Sequence, residues 1–231
     1  MRSAETVPVI EGGEAAVRSL ASRAAWAKRI LVVIVAVDLV AVLSGGAEYS
    51  LLQRAELGGV SDAEFNANDR RQQLIGATQI GLLVLGALFF LRWFHRAYKN
   101  LGTLGAGALR YSTGWAIGSW FIPILNLFRP KQIANDIWRA SEPGAQESGW
   151  WSQARVPALV HLWWGLFLIS GFLGRAALSA SGNPETIGAA QTATGLTIAT
   201  DLTSVAAGVL AILYIVRVTE RQRARAQVSR V

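Results

Sequence analysis

The sequence predicts an all-α, polytopic membrane protein with four transmembrane helices and one further re-entrant or interfacial helical segment. Composition is the first observation behind this prediction: 52% of the 231 residues are hydrophobic and only 16% are charged, whereas a soluble domain usually carries about 25% charged residues. The second is the presence of four apolar stretches long enough to cross a bilayer. The third is the distribution of lysine and arginine among the segments that separate those stretches.

The predicted spans follow from length and hydropathy. A helix rises about 1.5 Å per residue, so a hydrocarbon core about 30 Å thick needs roughly 20 mostly apolar residues. The four stretches that meet this requirement lie at about 30–47, 72–94, 156–178 and 196–216. We therefore predict a single membrane domain over 30–216, between an N-terminal tail at 1–29 and a basic C-terminal tail at 217–231.

A fifth apolar stretch, 113–128, has only 16 residues and contains Pro123, which removes a backbone donor from any helix passing through it. The positive-inside rule decides whether this stretch crosses. If it does not, the segments on the side of the chain ends hold 18 of the 22 Lys and Arg residues and the opposite loops hold 4. If it does, the split is 10 against 12. Only the first arrangement shows the expected bias, so we predict four spans with both termini in the cytoplasm.

The same bias explains the net charge of +7, which in another context would indicate a nucleic-acid partner. We therefore predict no nucleic-acid binding. An alternative interpretation of residues 1–47 is a cleaved signal peptide. Asp38 inside the apolar run, and the lack of a convincing small-residue cleavage site after it, argue against that alternative.

Local signals mark two helix starts. Paired glycines at 58–59 are typical of a helix end, and Ser61 with Glu64 matches a capping box that starts the next helix. The first two spans are therefore expected to project beyond the outer surface as continuous helices. Asn183 followed by Pro184 is a second start signal, with Asn as the N-cap residue.

Segment 113–141 is the predicted re-entrant or interfacial element. Pro130 suits the first turn of a new helix. One face of that helix is apolar and the other mostly charged, a pattern typical of helices that lie at the cytoplasmic surface of a bilayer. The apolar face comprises Ile133, Ala134, Ile137 and Trp138, and the polar face comprises Lys131, Gln132, Asn135, Asp136 and Arg139. The preceding residues 113–128 are expected to dip into the bilayer and return, or to lie along its inner surface.

The order of aromatic, proline and asparagine residues in this region resembles a bacterial membrane family. The matching positions are Trp93 to Asn100, Trp115 to Trp120, Ile122, Pro123, Asn126, Pro130 and Trp138 to Ser141. The family is catalogued as domain of unknown function 4328, and the resemblance covers about residues 30–217. It implies a multi-pass membrane protein and supplies no activity, substrate or catalytic residue. The candidate functional segment comprises Trp115, Trp120, Pro123, Asn126, Pro130 and Trp138.

A few polar side chains fall inside the predicted spans, where an ionisable group is costly and should face the interior of the bundle. Asp38 and His161 lie at depths that would allow a hydrogen bond or a shared proton between them. Asp201 lies near the outer end of the fourth span, with Arg175 and Gln79 as candidate partners. The functional interpretation is a proton or cation path; the alternative is a neutral or paired carboxyl that only fixes helix register.

No catalytic or cofactor-binding pattern is present in the sequence. The chain has no cysteine, and its two histidines, His95 and His161, are too far apart in sequence to suggest a zinc motif. The motifs of serine hydrolases, zinc proteases, P-loop NTPases and dinucleotide-binding domains are also missing. We predict no cofactor, no metal site and no enzymatic activity.

The expected partners are the lipid bilayer and, beyond it, a protein partner or a second copy of the chain. Arg92, Arg96 and Lys99 share a face where anionic headgroups could bind at the cytoplasmic surface. Small residues recur every four positions in the fourth span, which is typical of close packing within the bundle or in a dimer. These are Gly195, Ala199, Thr203, Ala207 and Ala211.

Two functional hypotheses follow. The leading one is a non-enzymatic scaffold or regulatory partner in the bacterial cytoplasmic membrane, with its partner surface in segment 110–141. The alternative is a small transporter or channel subunit that uses Asp38, His161 and Asp201.

Overall fold

A computed structural model describes residues 6–107, 109–143, 154–182 and 184–228, with side chains from residue 15 onward. In chain order the elements are α1 (Thr6–Glu56), α2 (Asp62–Thr103), α3 (Trp115–Gly118), a 3₁₀ turn (Leu125–Leu127), α4 (Arg129–Ala140), α5 (Ala158–Ala180) and α6 (Ile187–Val228). Every regular element in these ranges is helical, which confirms the all-α prediction.

Four helices, α1, α2, α5 and α6, are long and apolar enough to cross a membrane, which confirms the four predicted spans. The chain is an integral membrane protein. Helices α1, α2 and α6 have 51, 42 and 42 residues, about twice the roughly 20 that a bilayer requires. Hydropathy identifies only the part of each helix that suits lipid. The remainder, including residues 6–29 of the predicted N-terminal tail, is helical but more polar.

The turn between α1 and α2 matches the sequence signals at both of its ends. Gly58 has a φ of +78°, a left-handed conformation that glycine adopts freely and that commonly ends a helix. The Ser61 N–H donates to Glu64 Oε2 at 3.0 Å, and the Glu64 N–H donates to Ser61 Oγ at 3.4 Å. These two bonds form the predicted capping box, so the first hairpin consists of two continuous helices.

Helix α6 starts later than predicted. The Thr186 Oγ1 accepts the Ala189 N–H at 3.1 Å, which is the bond expected of an N-cap residue. Thr186 therefore caps the helix in place of Asn183, which lies outside the described residues. Threonine and asparagine both suit this position, so the local pattern alone did not distinguish two candidates three residues apart.

The chain packs as two compact units. The terminal unit comprises Met1–Ile30, Gly86–His161 and Ala211–Val231, and the hairpin unit comprises Leu31–Leu85 and Leu162–Leu210. The hairpin unit has large apolar side chains on its surface; Leu43 and Leu74 are 76% and 71% exposed. A surface of this kind suits contact with lipid tails rather than with water.

Helices α1 and α6 approach each other closely inside the hairpin unit, and a glycine stands at each point of approach. A β-carbon added at Gly45 of α1 would lie 2.7 Å from Ile198 Cγ1, and one added at Gly208 of α6 would lie 2.8 Å from Val35 Cγ2. Small residues allow this proximity, which provides the packing that holds helices together in lipid.

We expect Gly45→Val to destabilise the hairpin unit and Gly46→Val to be tolerated. The first substitution forces apolar carbons into Ile198, and overpacking of this kind typically costs about 1–3 kcal/mol. A β-carbon at Gly46 meets no atom within 4 Å, and it introduces the same side chain one position along the same helix. Thermal unfolding of the two variants in detergent tests the prediction, and equal midpoints would contradict it.

The terminal unit has an aromatic core. Trp93, Phe94 and Tyr98 of α2 and Tyr214 of α6 are fully buried. The Trp93 and Tyr214 rings meet edge to face with centroids 5.7 Å apart, a favoured arrangement of aromatic pairs. Trp93 falls at the end of the predicted span 72–94, where tryptophans often lie at the membrane interface, but it lies inside the protein.

Helix α4 confirms the helix predicted from Pro130, but its environment differs from the prediction. Ile133, Ala134 and Ile137 of its apolar face are fully buried in the terminal unit, and the Tyr214 hydroxyl donates to the Ala134 carbonyl at 2.9 Å. Asp136, predicted on the polar face, is fully buried as well. The apolar face of α4 therefore packs against protein and not against lipid, because an amphipathic helix packs onto protein as readily as onto a bilayer.

Candidate functional site

Two buried carboxyl groups meet at one amide inside the hairpin unit. The Gln79 Nε2 donates to Asp38 Oδ1 at 3.0 Å and to Asp201 Oδ1 at 2.9 Å. The Ser204 hydroxyl donates to the second oxygen of Asp38, Oδ2, at 2.7 Å. Asp38 is 5% exposed and Asp201 6% exposed. We call these four residues the carboxyl pair site.

The site is assembled from three helices that all have the length and hydropathy of membrane spans. Helix α1 contributes Asp38, α2 contributes Gln79, and α6 contributes both Asp201 and Ser204. Residues three apart on a helix share a face, so Asp201 and Ser204 point toward the same neighbours. Two polar residues at this spacing in a hydrophobic span were the sequence signal that could have identified Ser204, which our sequence analysis missed.

The two carboxyl groups accept different numbers of hydrogen bonds. Asp38 receives a donor at each of its oxygens. Asp201 shares only the second proton of the same Gln79 amide. Two negative charges this close in a low-dielectric site would repel each other strongly.

A second polar cluster continues from this site toward the α1–α2 turn. The Arg71 side chain of α2 donates to Ser44 Oγ at 2.9 Å and to Asn68 Oδ1 at 2.6 Å. Glu48 of α1 accepts from Asn68 at 3.1 Å and from Gln72 at 2.9 Å. These contacts link α1 and α2 along about one and a half turns and fix the rotation of one helix against the other.

The partners predicted for the two acids are only partly correct. Gln79 is confirmed as a neighbour of Asp201. His161 is exposed, and the two oxygens of Asp38 accept from Gln79 and Ser204. The Arg175 guanidinium donates to the Gly171 carbonyl of its own helix at 3.0 Å, and the structure gives it no bond to Asp201. Depth along a helix can be read from sequence, whereas the rotation of the helix about its axis cannot.

The candidate segment at 115–138 contributes mainly to internal packing. The Arg129 guanidinium lies 4.4 Å from the centre of the Trp115 ring, a cation–π contact. Trp120 meets Phe90 and Phe94 edge to face, with centroids 5.7 and 5.9 Å apart. Three of the six predicted residues, Trp115, Trp120 and Trp138, therefore belong to aromatic contacts of the terminal unit.

Trp138 and Pro130 are both buried. The Trp138 ring stacks on Tyr214 with centroids 6.5 Å apart, and the Arg221 guanidinium lies 4.4 Å above it. The tryptophan therefore joins α4 to α6 within the terminal unit. Pro130 stands in the first turn of α4, where its missing N–H is not needed.

The remaining residues of the segment form an exposed apolar surface. Phe121 and Ile124 are 73% and 71% exposed, and Pro123 between them is exposed as well. This stretch contains only the four-residue α3 and the 3₁₀ turn, so it is far too short to span, as predicted. Asn126 is half-buried, and its Oδ1 has no hydrogen-bond partner among the described residues.

The described residues contain no group of three or more His, Cys, Asp or Glu side chains that could hold a metal ion.

Comparison with known proteins identifies a family and nothing beyond it. The family model described as Domain of unknown function (DUF4328) matches residues 57–220, which is most of the chain and includes the segment that carried the sequence resemblance. No curated protein matches the chain, and no solved structure matches it.

Proposed function

We propose, from the premise that the chain belongs to the DUF4328 family, that this integral membrane protein binds and moves protons as a small transporter or channel subunit. The observation that carries the proposal is the Gln79 amide bridging Asp38 and Asp201 inside the hairpin unit. The role is non-enzymatic, and the proposed location is the bacterial cytoplasmic membrane with both termini inside. The arginine and lysine distribution supports that orientation.

The energetic cost of the site supports a functional role. An aspartate inside a span is unfavourable, by up to roughly 2.5–3.5 kcal/mol at the centre on insertion scales, and ionisable groups inside spans commonly mark ion or proton pathways. Two such residues that only joined helices would serve as well if both were amides. A carboxyl pair differs from a pair of amides in one property, which is that it can take up and release a proton.

Proton flux into liposomes tests the proposal. The protein is reconstituted with a pH-sensitive dye inside the vesicles, and a potassium gradient with valinomycin sets the membrane potential. We expect flux above that of empty vesicles and a loss of at least about ten-fold in Asp201→Asn and in Asp38→Asn, since neither amide can exchange a proton. Asp69→Asn, an exposed residue of α2, is the matched control and should retain the flux. Flux equal to that of empty vesicles, or unchanged in both pair variants, would refute the proposal.

A second candidate function is the scaffold or regulatory partner, and the exposed apolar surface at 121–124 favours it. Contiguous exposed apolar surface of this kind marks sites of contact with protein or membrane. We expect Phe121→Ser with Ile124→Ser to abolish association with a partner protein that Asp38→Asn retains. Unchanged association in the double variant would remove this candidate.

A further inference from the structure

An open groove runs between α1 and α2 on the surface of the hairpin unit, with a volume of about 800 Å³. Its wall is apolar over most of its length, formed by Val40, Leu43, Leu74 and Ile75. At the end nearer the α1–α2 turn it is lined by two adjacent arginines, Arg70 and Arg71. Since Leu74 is four residues from Arg70, the cationic end lies about 6 Å from the start of the apolar wall.

Neither arginine has a carboxylate partner among the described residues. The ion pairs found among the described residues join Arg54 to Glu64, Arg110 to Asp136 and Arg221 to Glu142. Arg71 bonds to the neutral groups of Ser44 and Asn68, which orient its guanidinium without neutralising it. Arg70 is exposed, and the structure gives it no hydrogen bond. Glu48 accepts from Asn68 and Gln72 in the same cluster but forms no ion pair with either arginine among the described residues, so this end of the groove keeps a net positive charge.

The shape and the charge of the groove together define its occupant. A guanidinium pair recognises a phosphate group, and an apolar groove a few ångströms deeper on a membrane-spanning hairpin accommodates an acyl chain. Few molecules combine a phosphate group with an acyl chain at this spacing, and the phospholipids of the surrounding bilayer are among them. A soluble anion would use the arginines and leave the apolar wall bare.

We propose that this groove binds one anionic phospholipid, with the phosphate at Arg70 and Arg71 and an acyl chain along Val40, Leu43, Leu74 and Ile75. The site is separate from the carboxyl pair site, so it stands or falls independently of the proposed proton function. It would hold α1 and α2 together at the end where the polar cluster of Ser44, Asn68 and Arg71 already joins them.

Native mass spectrometry of the full chain released from detergent tests the proposal, with phosphatidylglycerol and phosphatidylcholine of identical acyl chains as probes. We expect the phosphatidylglycerol adduct to exceed the phosphatidylcholine adduct, and each arginine replacement to lower it about five-fold, which is the effect of about 1 kcal/mol per basic residue near a lipid surface. Arg70→Gln is the first variant because Arg70 is exposed and the structure gives it no hydrogen bond, and the double variant with Arg71→Gln follows. Arg175→Gln removes an exposed arginine of the same unit outside the groove and should leave binding unchanged.

Two further experiments distinguish a bound phospholipid from a soluble anion. Ala47→Trp fills the groove while keeping both arginines, and we expect it to weaken lipid binding as strongly as an arginine replacement. If inorganic phosphate at millimolar concentration competes fully with the lipid, or if Ala47→Trp has no effect, the site is an anion site and the lipid proposal is wrong. Equal adducts of the two lipids, or a preference that survives in the double arginine variant, would also overturn it.

Discussion

Trp93→Ala is expected to destabilise the terminal unit by about 3–5 kcal/mol, the range measured for removal of a fully buried aromatic side chain. Trp93 is completely buried and contacts Phe90 at 5.7 Å and Tyr214 at 5.7 Å between ring centroids. Its indole N–H also donates to Thr219 Oγ1 at 3.4 Å, so the substitution leaves both a cavity and a weakened connection from α2 to α6. The unfolding midpoint in detergent, followed by circular dichroism, measures the loss.

Trp26→Ala provides the matched control. Trp26 is 49% exposed and stacks on Phe89 with centroids 5.9 Å apart. The Arg29 guanidinium lies 5.1 Å from its ring centre, so removal of Trp26 costs an aromatic contact worth about 0.5–1.5 kcal/mol and an exposed cation–π contact worth about 0.5–1 kcal/mol. Both tryptophans lie at or near an end of a predicted span, and the structure separates a core residue from a surface one. Similar losses of stability in the two variants would contradict the aromatic core described for the terminal unit.

Hydropathy and local capping signals predicted the helices because both depend on residues that are neighbours in sequence. The four spans and the Ser61–Glu64 capping box are of this kind. The helices are longer than predicted because their ends outside lipid are stabilised by tertiary packing, which an apolar window does not detect.

Side-chain partners were harder to predict because they depend on the rotation of each helix about its own axis. Asp38 and His161 have similar depths, yet a difference of one or two residues turns a side chain by 100° or more. Gln79 could be proposed as a neighbour of Asp201, but its simultaneous contact with Asp38 could not. For α4 the sequence pattern correctly predicted a helix with an apolar face. It did not show that this face packs against protein, since Ile133 and Ile137 would suit a lipid surface equally well.

The burial of Asp136 is the feature of α4 that its sequence pattern least suggested, and it has a consequence for pH dependence. The side chain is fully buried, and neither of its oxygens accepts a hydrogen bond from the described residues. Its nearest cation is Arg110, whose Nη2 lies 3.6 Å from Oδ1. Burial raises the pKa of Asp136 from an ordinary value of 3.8 to about 6, and the nearby Arg110 and Arg139 offset only part of that rise. The hydroxyls of Tyr98 and Tyr214 are the other titratable groups close to it.

Asp136→Asn is therefore expected to stabilise the protein at pH 7.5. Because the pKa in the folded protein is higher than in the unfolded chain, the folded protein binds more protons between pH 3.8 and about 6, and acidification through this window increases stability. Above pH 6 the buried carboxylate is charged and that contribution is lost. It amounts to up to about 3 kcal/mol, since each pKa unit corresponds to about 1.4 kcal/mol. Asparagine is uncharged throughout, so the variant should have the higher unfolding midpoint at pH 7.5 and match the parent near pH 4.

The difference between parent and variant isolates this carboxyl group from every other titration in the chain. Asp69→Asn, at an exposed position of α2, should show the parent's pH profile. The increase in stability on acidification should therefore be lost only in Asp136→Asn. If Asp136→Asn instead lowers stability at pH 7.5, then the ion pair with Arg110 outweighs the cost of burial. Asp136 of α4 then stabilises the fold as the charged partner of Arg110. In that case the profile has the opposite sign, with stability lost on acidification as the carboxylate takes up its proton. The direction of the change between pH 7.5 and pH 5 therefore decides whether burial or ion pairing governs this residue.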